Sequence, residues 1–284
     1  MSNGKNNNCP KRLLRPLSFL REGHHQNSSG IYNIDYDYNQ EILINKNINI
    51  VFQPIVDLSS HNFHAFEALS RPSVDAPLAN KSPFAILSEQ HHQKLDLICL
   101  EHIFKSIEQF SHFDELNHQK TYFFVNCMLS NAHYLKKMQI SQSLKEKTTI
   151  EFDLNHTFFD INQFLKNIHD LKKDHFKIAL DDIGETQIDL QILNLIKPDF
   201  VKIDIAVVLG ISQSDEKLTK AKVIIERANH LGSKIIAEGV ENKEDLEIIT
   251  SLGVNLIQGF LFSKPMQFVP EKRKEIDNII KKAA

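Results

Sequence analysis

From about residue 38 onward, short runs of β-branched and aromatic residues alternate with longer stretches in which apolar positions recur at helical spacing. Such alternation is the pattern of repeated strand–helix units. Eight strands are predicted: NINIVFQPIVDL ending at Leu58, FHAFEALSR ending at Arg71, TYFFVNC ending at Cys127, TTIEFDL ending at Leu154, FKIALDDI ending at Ile183, FVKID ending at Asp204, KIIAEGV ending at Val240 and LIQGFLF ending at Phe262. Helical patterns lie between most of them, including FAILSEQHHQKLDLICLEHIFKSIEQF and DEKLTKAKVIIERANHLG, the second closed by Gly232 where a helix-terminating glycine belongs.

Eight strands interleaved with helices over about 230 residues suit an α/β fold of the (β/α)8 type, formed as one domain. The first pair breaks the rhythm, because only four residues, SSHN, separate the two strands. A gap that short makes a hairpin, so the expectation is a modified (β/α)8 TIM barrel with one antiparallel strand. Residues 1–37 are rich in Asn, Ser, Gly and His, with a small basic segment from Lys11 to Arg21 that Pro16 interrupts. They are read as a flexible tail, and residues 38–284 as the barrel domain.

Composition narrows the function classes. With 284 residues, 42% hydrophobic and 24% charged, the chain is globular rather than fibrous or wholly disordered. The balance of 33 basic and 36 acidic side chains gives a net charge of −3, and no long basic run occurs outside the tail, which argues against duplex nucleic acid as the main partner. Cys9, Cys99 and Cys127 are too few and too scattered for a disulfide framework or a thiolate zinc site, so a reducing compartment is expected. No apolar stretch approaches the ~18 residues of a membrane span, and the N-terminus lacks the continuous apolar segment of a signal peptide. The expected setting is cytoplasmic, without a transmembrane segment.

The candidate chemistry lies in what ends the strands. A carboxylate, amide or lysine sits at or near the C-terminal end of seven of them: Glu67, Asn126, Glu151, Asp181 with Asp182, Lys202, Glu238 with Glu241, and Gln258. One such residue alone would be a helix cap or a solvated side chain. In a barrel, however, all these ends converge on the face where active sites are built. Acidic groups gathered at one mouth repel unless cations neutralise them, so the set points to one or two hard divalent ions held by carboxylate and amide oxygens. Two ions about 4 Å apart are the usual device for in-line attack of water on a phosphate ester.

FEALSRP, VNCMLS, IEFDL, LDDIG, VKID, AEGVE and QGFLFSKP, in this order and spacing, resemble the EAL-domain phosphodiesterases, which hydrolyse the bacterial second messenger cyclic di-GMP to linear pGpG. The similarity runs from roughly Asn39 to Pro270. It implies metal ligands at Glu67, Asn126, Glu151, Asp181, Asp182 and Glu238, with Asp181 bridging two Mg²⁺ or Mn²⁺ ions. Lys202 matches the family's invariant lysine, which orients or deprotonates the attacking water. Glu241 and Gln258 match further members of the metal and water shell, Glu241 on the catalytic side. Gln53, Leu69, Arg71, Gln258 and Pro265 fall on the substrate side; a guanidinium such as Arg71 is a fixed-charge forked donor suited to a phosphate oxygen. The resemblance also implies a homodimer.

The sequence departs from the family pattern where activity is controlled. Active members usually continue the double aspartate as DDFGTGYSS, whereas here it reads DDIGETQID, with Thr186, Gln187, Ile188 and Asp189 replacing a glycine, an aromatic residue and two serines. Backbone freedom at that loop is reduced. The glutamate that normally tethers the loop, three residues after the Glu151 position, is Leu154, and the arginine after KID is Ile205. The matched ligands persist while their support changes. Three readings follow: an active phosphodiesterase, a catalytically weak or silent receptor for the dinucleotide, or a protein-interaction module. The residues before the barrel are too few to fold as a further domain, so regulation is expected from a protein partner or from dimerisation.

Other conspicuous residues take ordinary roles. His91 and His92 lie in a helical pattern away from the strand ends, and strand alternation turns Cys127 from the mouth into the core. Gly259 marks a bulge or a close backbone approach.

Overall fold

The computed structural model describes residues 46–73, 81–116, 121–154, 160–184, 187–267 and Asn278. The expected tail at residues 1–37 and Thr186 lie outside the described residues.

Eight strands close into a barrel in sequence order. They are β1 (Ile48–Asp57), β2 (Asn62–Pro72), β3 (Phe123–Asn126), β4 (Thr148–Asp153), β5 (Lys177–Ile183), β6 (Phe200–Ile203), β7 (Lys234–Ala237) and β8 (Leu256–Ile257). β1 runs antiparallel to both β2 and β8, while β2 through β8 pair in parallel. The short SSHN connection therefore produces the one antiparallel strand, since a parallel return needs a crossover of a dozen or more residues.

Seven helices lie in the described segments: α1 (His92–Leu116), α2 (Gln142–Glu146), α3 (Ile161–Lys173), α4 (Gln187–Ile196), α5 (Ile205–Val208), α6 (Asp215–Leu231) and α7 (Lys243–Ser251). Asp160 caps α3 through Asn162 and Gln163, Ser214 caps α6, and Asn242 caps α7. Gly232 ends α6 in the left-handed conformation at φ +75°. The long run read as one helix from Phe84 to Phe110 is broken: Ser82 and Ser88 are extended, short 3₁₀ turns occupy Pro83–Ala85 and Glu89–His91, and α1 begins only at His92. Helix α4 begins at Gln187, so three of the residues read as loop, Gln187, Ile188 and Asp189, form its first turn. No described helix is long and apolar enough to cross a membrane.

Two apolar bodies result among the described residues. The larger fills the space between the sheet and its helices. The smaller comprises Ile55, Ala65, Phe124, Ala179, Phe200, Ile236 and Leu256, one residue from every strand except β4. It plugs the barrel interior, and Phe124 and Phe200 meet edge to face at 4.9 Å within it.

The eighth predicted strand is shorter than the sequence suggests. β8 stops at Ile257, and the chain turns, with the amides of Phe262 and Ser263 both donating to the Gly259 carbonyl. Glycine is required there, because a Cβ on Gly259 would lie 2.0 Å from the Val240 carbonyl oxygen.

Candidate metal-binding and active site

The interior plug fixes what stands above it. Strand side chains alternate with a period of two, so a residue two positions nearer the mouth shares the face of each plug residue. From the plug, this step reaches Gln53 on antiparallel β1, Glu67 on β2, Asn126 on β3, Asp181 on β5, Lys202 on β6, Glu238 just past β7 and Gln258 just past β8. On β4 the same layer holds Glu151, which lies in register with Asn126 on β3. A polar tier thus rests directly on an apolar floor.

The tier is tightly connected. Lys202 Nζ lies 2.8 Å from Glu151 Oε1, 2.8 Å from Glu238 Oε1, 3.1 Å from Asp181 Oδ1 and 3.6 Å from Glu67 Oε2. Glu67 is held from two sides: Asn126 Nδ2 donates to Oε1 at 2.8 Å and Gln258 Nε2 to Oε2 at 2.6 Å. Gln258 Nε2 also approaches Gln53 Oε1 at 3.3 Å, and Gln53 Nε2 donates to the Ser263 carbonyl at 3.2 Å. Lys202 is 0% exposed and Glu151 1%.

Alternation alone would turn Asp182 away from this tier. Instead the β5–β6 register slips between Leu180 and Ile183, leaving Asp181 and Asp182 opposite Lys202 alone, and Asp182 takes a left-handed backbone at φ +53°. The bulge gathers both aspartates with Glu238: one oxygen from each lies within 4.8 Å of the others.

Burial and mutual repulsion shape the charges. Burial pushes the Glu151 carboxyl well above the usual carboxylate range, Glu67 and Asp181 add to this, and the Lys202 ammonium opposes it. Glu238 is likewise raised, by burial first and then by Asp181, against Lys202. Burial alone would lower the Lys202 pKa, but Asp181, Glu151, Glu238 and Glu67 together override it and hold the ammonium well above an ordinary lysine.

The donor set suits a hard cation. Glu151 Oε2 and Gln258 Oε1 are buried without a hydrogen-bond partner, and Asn126 commits its nitrogen to Glu67, which leaves its oxygen for another ligand. Oxygen-only donors of this kind favour Mg²⁺, Mn²⁺ or Ca²⁺ over softer metals.

Leu69 and Arg71 continue the Glu67 face of β2 outward, each pair of residues advancing about 7 Å. Both are half-buried. The Arg71 guanidinium donates to the Ser70 carbonyl at 2.8 Å, and burial lowers its pKa while Glu67 counteracts this. Pro265 is half-buried beside Met266, whose backbone pairs with Phe52. Glu241 is exposed after β7, and among the described residues no hydrogen bond or ion pair joins it to the tier. Leu154 packs its side chain against the larger apolar core. Ile205 lies over Gly239, whose φ is +67° and where a Cβ would fall 2.1 Å from Ile205 Cγ1. His91 and His92 bond to Ser88 and the Leu87 carbonyl, and Cys127 is buried.

Sequence reasoning missed the group that anchors the chain just past Asn126. Asp96 on α1 accepts the Met128 amide at 3.2 Å and Asn131 Nδ2 at 2.8 Å, and Asn131 also reaches the Gln93 carbonyl. The available signal was an acid embedded in the apolar run LDLICL.

Known proteins resemble this chain in sequence and in fold. Over 92 residues, 32% of this chain and 16% of the relative, the sequence is 32% identical to a Vibrio parahaemolyticus protein named cyclic di-GMP phosphodiesterase TpdA. The chain thus matches only a small part of that relative's length. Among solved structures, Klebsiella pneumoniae BlrP1 in a manganese and cyclic di-GMP complex superposes with a TM-score of 0.65 at 26% identity, covering 78% of this chain and 56% of that one. The Xanthomonas citri FimX EAL domain, in complex with c-diGMP, gives 0.68 at 18% identity over 83% of this chain and 94% of that one, a likeness of fold. The family model for the EAL domain matches residues 37–265, the span that carries every strand and every residue of the polar tier, and the chain belongs to the EAL domain family.

Proposed function

We propose that this chain is a metal-dependent phosphodiesterase that hydrolyses cyclic di-GMP to linear pGpG in the bacterial cytoplasm. The observation that carries the reading is the tier itself: oxygens from Glu67, Asn126, Glu151, Asp181, Asp182 and Glu238 gathered at one barrel mouth, with buried acceptors left unpaired. The likeness to cyclic di-GMP phosphodiesterases supports the choice of substrate.

These six residues would hold two Mg²⁺ or Mn²⁺ ions, which when bound lower the pKa of water and stabilise charge on phosphate oxygens. The chain's own groups do the rest. Lys202 orients the attacking water and balances negative charge that develops beside it. Arg71 neutralises a phosphate oxygen at the rim, with Gln53, Leu69, Gln258 and Pro265 fixing the dinucleotide around it. Glu241 sits in the outer water shell. Two barrels, each formed by residues 38–284 behind a tail at 1–37, associate as a homodimer.

Leu154 favours a second reading. With its side chain committed to the apolar core, this position offers no carboxylate to the segment between Gly184 and α4. A receptor that binds the dinucleotide without turning it over retains the tier and loses only the loop support.

One assay separates the two: purified protein, cyclic di-GMP and Mg²⁺ or Mn²⁺, with the product followed by chromatography. Linear pGpG that disappears on adding chelator establishes the enzyme. Tight binding without product establishes the receptor, and neither binding nor product refutes both. Within an active protein, Lys202→Ala should remove most turnover and leave affinity largely intact, whereas Arg71→Ala should weaken binding.

A further inference from the structure

Lys202 stands among more negative charge than it can satisfy. Four carboxylates, from Glu67, Glu151, Asp181 and Glu238, approach its nitrogen within 3.6 Å, and its side chain is 0% exposed. An ammonium has three donors, fewer than the carboxylates that surround this one. It is held as a point charge in a carboxylate cage, which is how a hard metal ion is held. Glu151 Oε2, buried and without a hydrogen-bond partner, is a ligand oxygen left over beside it.

We propose that Lys202 is the resident counter-cation of the metal-free site, and that divalent ions compete with its ammonium for the same carboxylates as they load. The proposal rests on the metal-binding reading given above and adds a second task for this lysine.

The physical reason is the cost of stripping a buried carboxylate of its partner. Removing one member of a buried ion pair leaves an uncompensated charge, which is strongly destabilising. Without any cation, four carboxylates would face one another above the apolar floor formed by Phe124, Phe200 and Ile236. Lys202 lets the site stay assembled while empty, so the barrel does not depend on metal for folding as small metallo-domains do. The consequence is a trade: the same ammonium that preserves the empty cage weakens its grip on divalent ions.

The test compares full-length wild type, Lys202→Met and the double variant Lys202→Met/Glu151→Gln, each melted in excess chelator and in saturating Mn²⁺, with Mn²⁺ affinity measured by calorimetry. In chelator Lys202→Met should melt lower than wild type by about 6–12 °C, as expected for breaking a buried ion pair in a domain of this size. Adding Glu151→Gln should recover part of that loss, because it removes one of the charges left unpaired. Mn²⁺ should bind Lys202→Met about tenfold more tightly than wild type and raise its melting temperature by more. A variant that folds only with Mn²⁺ present supports the proposal equally. Equal Mn²⁺ affinity in wild type and Lys202→Met, or no rescue by Glu151→Gln, overturns it while leaving the metal site intact. Should the single variant fail to fold under any condition, the double variant alone decides: folding in chelator supports the counter-cation role, and failure to fold overturns it. Absence of Mn²⁺ binding to every protein instead overturns the metal reading, and the competition with it.

Discussion

Asn126 donates its side-chain amide to Glu67 across 2.8 Å, joining two strands whose residues are 59 positions apart in the chain. The bond uses the nitrogen of Asn126 and fixes one oxygen of Glu67. Asn126→Ala should therefore act twice. Leaving a nearly buried carboxylate oxygen without its donor should lower stability by about 1–3 kcal/mol, read by urea unfolding in chelator. Mn²⁺ affinity, read by calorimetry, should fall as well. A variant that loses neither would remove Asn126 from the site.

Asp182 offers a way to separate backbone from ligand. Its φ of +53° is a conformation that Asn tolerates and Ala resists. Asp182→Asn should keep the stability of wild type in chelator, and Asp182→Ala should lose about 1 kcal/mol to backbone strain. Both delete the same charge, so both should weaken Mn²⁺ binding to a similar degree. Comparable unfolding midpoints for the two variants would mean that the bulge imposes no strain.

Gly259 should be intolerant of even a methyl group. A Cβ there would fall 2.0 Å from the oxygen and 2.5 Å from the nitrogen of Val240, both backbone atoms that side-chain motion cannot clear. Gly259→Ala should cost about 1–3 kcal/mol by overpacking. Because Gln258 is its neighbour and donates to Glu67, metal affinity should fall with it. Gly253→Ala is the control: its Cβ would meet nothing within 4 Å although φ is +88°, so stability should drop modestly with no change at the site.

Asp96 should make stability depend on pH in the direction opposite to an ordinary ion-paired carboxylate. Burial pushes its pKa up to about 7, against the hydrogen bonds from Asn131 and Met128 that lower it. The folded state therefore favours the protonated acid. The contribution is fully present below the unfolded value near 4 and is lost as pH rises through about 7. Asp96→Asn cannot ionise, so the difference in unfolding free energy between variant and wild type should move in favour of the variant as pH is raised from about 4 to about 8. A difference that stays constant over this range would place the Asp96 pKa in the normal carboxylate range.

Much of the barrel was legible because strand residues have only two faces. Once Phe124, Phe200 and Ile236 are assigned inward, Asn126, Lys202 and Glu238 must share their face, and parallel strands carry them to one rim, which Gln53 reaches from Ile55 because β1 runs the opposite way. The hairpin between β1 and β2 followed in the same way from the length of SSHN, a local quantity. Asp182 was legible only as a neighbour of Asp181. Its arrival beside Glu238 needs the register slip against β6, which depends on a strand nearly twenty residues away.

The same division explains the rest. Local pattern cannot report that β8 ends at Ile257, because its termination is set by the Val240 backbone pressing on Gly259. Nor can it show that Asp96 belongs to the segment beyond Asn126, since in sequence it is one acid within an apolar helix face. The sequence by itself determined which residue types reach the mouth of the barrel. Only the tertiary structure decided that four carboxylates close around Lys202, because that outcome depends on distances between strands, and distances between strands are set by packing of the whole barrel.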